Sequence, residues 1–274
     1  MKKKVSGLDI AVKTVRLCDK LVNTALGLIV VVMLMYGVFG LLDTYRILAG
    51  ASSDSSLLKY KPQIDTEEVA GPTLSDLQAL NPDVVGWLTV DGTKIDYPVV
   101  QGEDNYEYLN IEVDGSYSLS GTIFLDYRND REFGDFYSLL YGHHMAGEVM
   151  FGVLPRYQEQ DYFDEHREGT IVLGTRAFTI EIFSCVYSNA ADNLVFNPTE
   201  MQTKEEKERF LAYIKQKSVC YADIGVSAND RIIGLSTCYE IESFGRIIVY
   251  GVLEERPMQS VQDMEEERKA NKDG

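Results

Sequence analysis

A cysteine at a strand end, a histidine pair behind a glycine, and an arginine opening the next strand are the residues here equipped for covalent chemistry. Ile232-Ile233-Gly234-Leu235-Ser236-Thr237-Cys238 reads as an apolar strand that delivers one thiol to its end. Eight residues further on, Arg246 begins a second apolar run, Ile247-Ile248-Val249-Tyr250. A third, Leu139-Leu140-Tyr141, ends at Gly142-His143-His144, where the backbone can turn. A nucleophilic cysteine acts as thiolate, with a proton carrier in reach and a positive group beside the developing oxyanion. Cys238, one of His143 and His144, and Arg246 fit those three roles; an arginine stays charged and donates several hydrogen bonds. The same residues also fit a plainer description, with Cys238 a core thiol, the histidines loop residues and Arg246 a surface cation. Metal binding fits poorly. Adjacent histidines point in different directions, His166 is the only other one, and no Cys-x-x-Cys or His-x-x-x-His spacing exists.

The compartment sharpens the choice. From Leu21 to Leu42, 22 residues carry no charge, enough to span a bilayer as a helix. Six basic residues precede them (Lys2, Lys3, Lys4, Lys13, Arg16 and Lys20), so the positive-inside rule places the N-terminus in the cytoplasm. The run exceeds the apolar core of a cleaved signal peptide, and an uncleaved, single-pass membrane anchor is expected. Residues 44–274 then lie outside the cell with 20 Lys+Arg against 40 Asp+Glu, a surface that repels nucleic acid and anionic lipid. Of the four cysteines, Cys18 falls on the inner side and Cys185, Cys220 and Cys238 on the outer. Three is an odd number for a disulfide scaffold. A Cys185–Cys220 bridge is open, although Cys185 in its apolar strand reads as a small core residue. At least one exported thiol stays unpaired.

Several short strands must position these groups. Val84–Val90 and Lys94–Val100 flank Asp91-Gly92, a hairpin signal. Strands follow at residues 121–125, 137–141, 170–173 and 177–187, the last two joined through Gly174-Thr175-Arg176, and the closing pair spans 231–237 and 246–253. Helices are few. Ser75-Asp76-Leu77-Gln78 has capping-box spacing for a short helix to Leu80, and Val149–Tyr157 suits another, limited by Pro155. A longer helix is expected over Pro198–Lys217, with Thr203 and Glu206 as a capping box and Phe210, Leu211 and Ile214 inward. Eight short strands separated by turns predict a mainly β fold, a closed or nearly closed barrel. The expected organisation is a cytoplasmic N-terminus (1–20), an anchor (21–42), a stalk (43–73), a catalytic domain (74–253) and a charged, disordered tail (254–274).

At this point the residues resemble a family. Leu235-Ser236-Thr237-Cys238 is similar to the TLxTC-type signature of sortases, with Leu235-Ser236 where the best-known form has Thr-Leu. Tyr141-Gly142-His143 resembles their Gly-His motif, and Gly245-Arg246 their catalytic arginine segment. Asn81–Leu88, Ile95–Gln101, Asp104-Asn105 and the helix ahead of the cysteine strand resemble the class B branch. The resemblance covers roughly residues 74–253.

It implies an eight-stranded sortase-type barrel and a cysteine transpeptidase working outside the membrane of Gram-positive bacteria. Cys238 would be the nucleophile, His143 the general acid and base, Arg246 the oxyanion or substrate clamp, and Ser236 and Thr237 substrate contacts. Glu240 and Glu242 are the acidic neighbours that could assist. The implied partners are secreted proteins bearing a C-terminal sorting motif, cleaved after threonine through a thioester, and an amine from a cell-wall precursor or a pilin lysine. No cofactor, metal or nucleic acid is expected. The charged end of the chain, without an apolar run, favours class B over the pilin-type class. Two other functions use the same features: a membrane-tethered cysteine endopeptidase with water as acceptor, and an inert extracellular adhesion or scaffold domain.

Overall fold

The computed structural model describes residues 7–51, 57–62, 73–174, 176–240 and 245–256. The chain divides into two units, Met1–Arg46 and Ile47–Gly274. Helix α1 (Gly7–Ala51) contains the apolar stretch Ala11–Leu42, long and apolar enough to cross a membrane. Residues 43–51, expected as the start of a stalk, continue this helix; the rest of the stalk lies mostly outside the described residues.

The second unit opens with α2 (Leu74–Leu80). Its cap is Thr73, which accepts from the Asp76 N–H while Asp76 accepts from the Thr73 N–H. The box thus starts two residues before the expected Ser75; two threonine- and serine-led frames overlap here, and packing of Leu74 and Leu77 selects the earlier. Strands β1 (Val84–Val90) and β2 (Asp96–Val100) form the antiparallel hairpin across Asp91-Gly92. Then come β3 (Ile123–Leu125), β4 (Tyr137–Gly142), β5 (Glu168–Leu173), β6 (Arg176–Asn189), β7 (Ser218–Tyr221), β8 (Arg231–Glu240) and β9 (Gly245–Arg256). Their order, β5-β1-β2-β3-β4-β8-β9-β6, closes through pairing of β6 with β5, giving the expected eight-stranded barrel. Closure leaves no open edge among these eight strands. β7 is a ninth strand that the sequence expectation lacks; Ser218, Cys220 and Tyr221 pair with Ser184–Val186 of β6, beyond Glu181, where the pairing with β5 stops.

The barrel interior holds Leu88, Val99, Ile123, Leu140, Phe178, Ile233, Leu235, Ile247 and Val249. With a period of two, the alternate residues of the same strands, Tyr137, Leu139, Ile232, Ile248 and Tyr250, face outward. There α5 (Lys204–Lys217) covers them with Phe210 and Ile214. The expected Pro198–Lys217 helix is broken: α4 (Asn193–Phe196) and a 3-10 turn at Pro198–Glu200 precede α5, which starts at the Thr203–Glu206 capping box. The Val149–Tyr157 helix is likewise a 3-10 turn, Leu154–Gln158, followed by α3 (Gln160–Glu165). Glu254–Arg256, expected in the tail, extend β9, where Glu255 pairs with Arg176 and Arg231; residues 257–274 lie outside the described residues. Cys185 and Cys220 are buried opposite each other on β6 and β7, both as free thiols.

Phe210 is fully buried against Tyr137 and Tyr250 and ties α5 to the barrel wall. Phe210→Ala is expected to lower stability by about 3–5 kcal/mol, read from the midpoint of chemical denaturation.

Candidate active site

Strand pairing assembles the candidate residues. β4 and β8 run parallel, with Gly142 beside Thr237, so His143 and Cys238 each follow by one residue at the same end of the pair. β9 returns antiparallel to β8 and places Arg246 directly opposite Cys238. Neighbouring strands lie about 5 Å apart, so residues distant in sequence meet on one rim. By alternation, positions 236 of β8, 141 of β4 and 246 of β9 share the outward side, against which α4 and α5 pack. The register shifts between Cys238 and Glu240, a bulge at the end of the cysteine strand. Cys238 and Glu240 are described through their backbone, and Glu242 lies outside the described residues.

The glycine before His143 has a steric cause. A Cβ at Gly142 would sit 2.4 Å from Ile123 Cδ1 and 2.8 Å from the Phe151 ring, so only glycine fits there. His143 Nε2 lies 2.7 Å from the carbonyl oxygen of Leu109. A carbonyl only accepts, so Nε2 carries a proton and Nδ1 is the nitrogen left to gain or lose one. Gly121, at φ +56°, packs so close behind Leu109 that a Cβ there would meet the Leu109 oxygen at 2.4 Å. His144 pairs instead in an isolated bridge with Met150, and burial pushes its pKa below the ordinary histidine value.

Around these residues lies a groove of about 400 Å³ lined by His143, Ser236, Thr237 and Arg246 together with Asn105, Tyr106, Leu109, Phe124, Arg128, Tyr141, Ala190 and Phe196. Ser236 is 1 % exposed and its Oγ has no hydrogen-bond partner among the described residues, leaving a polar group at the groove wall for a ligand. Two guanidinium groups border the groove, and their partners differ. Arg128 is engaged by the Asp126 carboxylate, Asn197 and Phe196. Among the described residues, Arg246 donates one hydrogen bond, from Nη1 to the neighbouring Gly245 carbonyl at 3.1 Å. Arg246 therefore has donors to offer a developing negative charge, and Arg128 has few. No group of three or more His, Cys, Asp or Glu able to hold a metal occurs among the described residues.

No family model matches the chain. It is 31% identical over 227 residues to Sortase B of Staphylococcus aureus, covering 81% of this chain and 92% of that protein. It is 37% identical over 205 residues to Sortase B of Listeria monocytogenes, covering 73% of this chain and 82% of that one. The chain belongs to the class B sortases. Among solved structures, a Streptococcus pyogenes class B sortase involved in pilus biogenesis matches with a TM-score of 0.61 and 50% identity, over 66% of this chain and 97% of that one. Membership makes the protein a sortase-type cysteine transpeptidase, and the apolar part of α1 fits a membrane anchor.

As a sortase, it gathers its groove from more residues than the motifs name. Leu109, Phe124, Arg128, Ala190 and Phe196 carry no local signal, because they come from separate connections and strands. Asn105, within the class B-like Asp104-Asn105, and Tyr141, ahead of Gly142-His143, belong to motifs visible in the sequence and line the groove.

Proposed function

We propose that Cys238 is the nucleophile, His143 the proton carrier and Arg246 the oxyanion clamp of a transpeptidation at the C-terminal sorting motif of secreted proteins. The observation that carries this reading is the strand register, with Arg246 opposite Cys238 and Gly142 beside Thr237. The Cys238 thiolate attacks the threonine carbonyl carbon, and the negative charge moves to the oxygen, where the Arg246 guanidinium donates to it. The C–N bond then breaks, the leaving amine takes a proton from His143, and a thioester remains. An incoming amine, from a cell-wall precursor or a pilin lysine, loses its proton to His143 and attacks the thioester. The new amide forms and Cys238 leaves as thiolate. Ser236 and Thr237 line the path of the peptide. With basic residues ahead of the apolar part of α1, the N-terminus faces the cytoplasm and the catalytic unit faces outward on a single anchor.

Mass spectrometry of the purified chain with a panel of sorting-motif peptides tests the reading. A mass gain matching a thioester, released as an amide when an amine is added, is the expected result. Hydrolysis that no amine diverts would convert the assignment to an endopeptidase. A Cys238 that no thiol reagent labels in the folded protein would leave an inert domain. Arg246→Lys keeps the charge but loses the planar fork; kcat/KM is expected to fall about 10²-fold, as for loss of one oxyanion donor, with peptide-dependent steady-state kinetics as the measurement.

A further inference from the structure

Asp126, just beyond β3, is a fully buried carboxylate under the groove floor. It accepts from the Arg128 N–H at 3.0 Å, Arg128 Nε at 2.8 Å and Nη2 at 2.7 Å, Asn105 Nδ2 at 2.9 Å and the Tyr141 hydroxyl at 3.0 Å. Burial alone would raise its pKa; the Arg128 guanidinium and N–H, with Asn105, outweigh burial and hold it below the usual aspartate value. Arg128 reaches onward. Its Nη1 donates to Asn197 Oδ1 and its Nη2 to the Phe196 carbonyl, both at 2.8 Å. One carboxylate thereby joins the connection after β2 (Asn105), the groove floor on β4 (Tyr141), and the α4 segment that forms the opposite wall (Phe196). Phe196 stacks near-parallel on Tyr141, with ring centroids 6.5 Å apart and planes 17° apart. The other end of that wall is also pinned: Asp192 accepts from Ser188 and Tyr213 and caps α4 at Leu194.

We propose that Asp126 and Arg128 form a buried latch that positions the Phe196–Asn197 wall against Tyr141 and so sets how tightly the substrate peptide is held. The latch rests on the reading of this groove as the substrate site. Its members are positioning residues: Asp126 lies beneath the groove and acts through Arg128, whose donors are already committed. A merely stabilising ion pair would not need to span three chain segments that all line one groove. Removing both charges is tolerable for a buried pair, whereas removing one strands the other. That asymmetry makes a double variant the informative one.

The test uses the full chain in detergent, with Arg128→Lys and the double variant Asp126→Asn/Arg128→Met. Three readouts are taken: steady-state transpeptidation, iodoacetamide labelling of Cys238 against pH, and hydrogen exchange over residues 190–197. Lysine keeps a cation beside Asp126 but cannot fork to carboxylate and wall together. In both variants KM is expected to rise at least about tenfold with kcat within about threefold, the signature of lost binding without lost chemistry. Exchange over 190–197 is expected to quicken, with the labelling profile unchanged. An unmoved KM with a lowered melting temperature would overturn the latch and leave a structural ion pair. A fall in kcat with a shifted labelling profile would also overturn it, by placing the effect on the cysteine–histidine pair. Wild-type chain that turns over no peptide would instead sink the functional reading, an outcome distinct from active wild type with variants of unchanged KM.

Discussion

Cys238→Ala is expected to abolish acyl-enzyme formation and lower transpeptidation by roughly 10⁴–10⁶-fold, the range for removal of a covalent nucleophile. The fold should survive. Position 238 is held in β8 by pairing with β9, and a backbone ladder does not depend on the thiol. The melting temperature of the variant should therefore match that of the wild type while the thioester mass disappears. Cys238→Ser makes a sharper comparison. A serine hydroxyl is a far weaker nucleophile at neutral pH than a thiolate, and it would need a strong base beside it. Cys185 and Cys220 cannot stand in for the lost thiol. Both are buried away from the groove, and burial pushes the thiol pKa of each upward, so neither ionises readily. Full activity in Cys238→Ala would refute the assignment outright.

The second large effect is expected at His143. His143→Ala should reduce kcat/KM by about 10²–10⁴-fold, the usual contribution of a positioned proton carrier, while His144→Ala should change it by less than about threefold. The two residues are adjacent, so composition and charge do not separate them; geometry does. His143 follows Gly142 at the rim and anchors Nε2 on the Leu109 carbonyl, which orients the ring and leaves Nδ1 for proton transfer. His144 is exposed and bridges Met150 through its backbone, and partial desolvation lowers its pKa. The measurement is the pH dependence of kcat/KM. Loss of one limb in His143→Ala, with both limbs kept in His144→Ala, supports the assignment; the reverse pattern would exchange the two roles.

Local rules carried much of this protein. The uncharged run before Asp43, the Asp91-Gly92 hairpin and the Thr203–Glu206 cap each involve neighbours in sequence, where a few residues decide the outcome. Where two local solutions competed, packing chose. Thr73 rather than Ser75 caps α2, and Pro198–Glu200 turns separately because Asn197, ahead of Pro198, is held out of the helical region and α5 begins only at the Thr203 cap. β7 escaped notice because four residues with half-exposed Val219 give too short an alternation to register as a strand.

The reactive residue types and their order along the chain were legible from the sequence: a cysteine at a strand end, a Gly-His corner and an arginine at the start of the last strand. Periodicity, however, says which residues alternate and never which strands pair. Parallel pairing of β4 with β8 joins residues almost a hundred positions apart, and that pairing alone brings Gly142 to Thr237. The Leu109 carbonyl, 34 positions from His143, and the reach of Arg128 to Phe196 and Asn197, 68 and 69 positions away, are also contacts between distant parts of the chain. Such contacts leave no imprint on local patterns, because closing the barrel, and not the neighbouring sequence, fixes their distance.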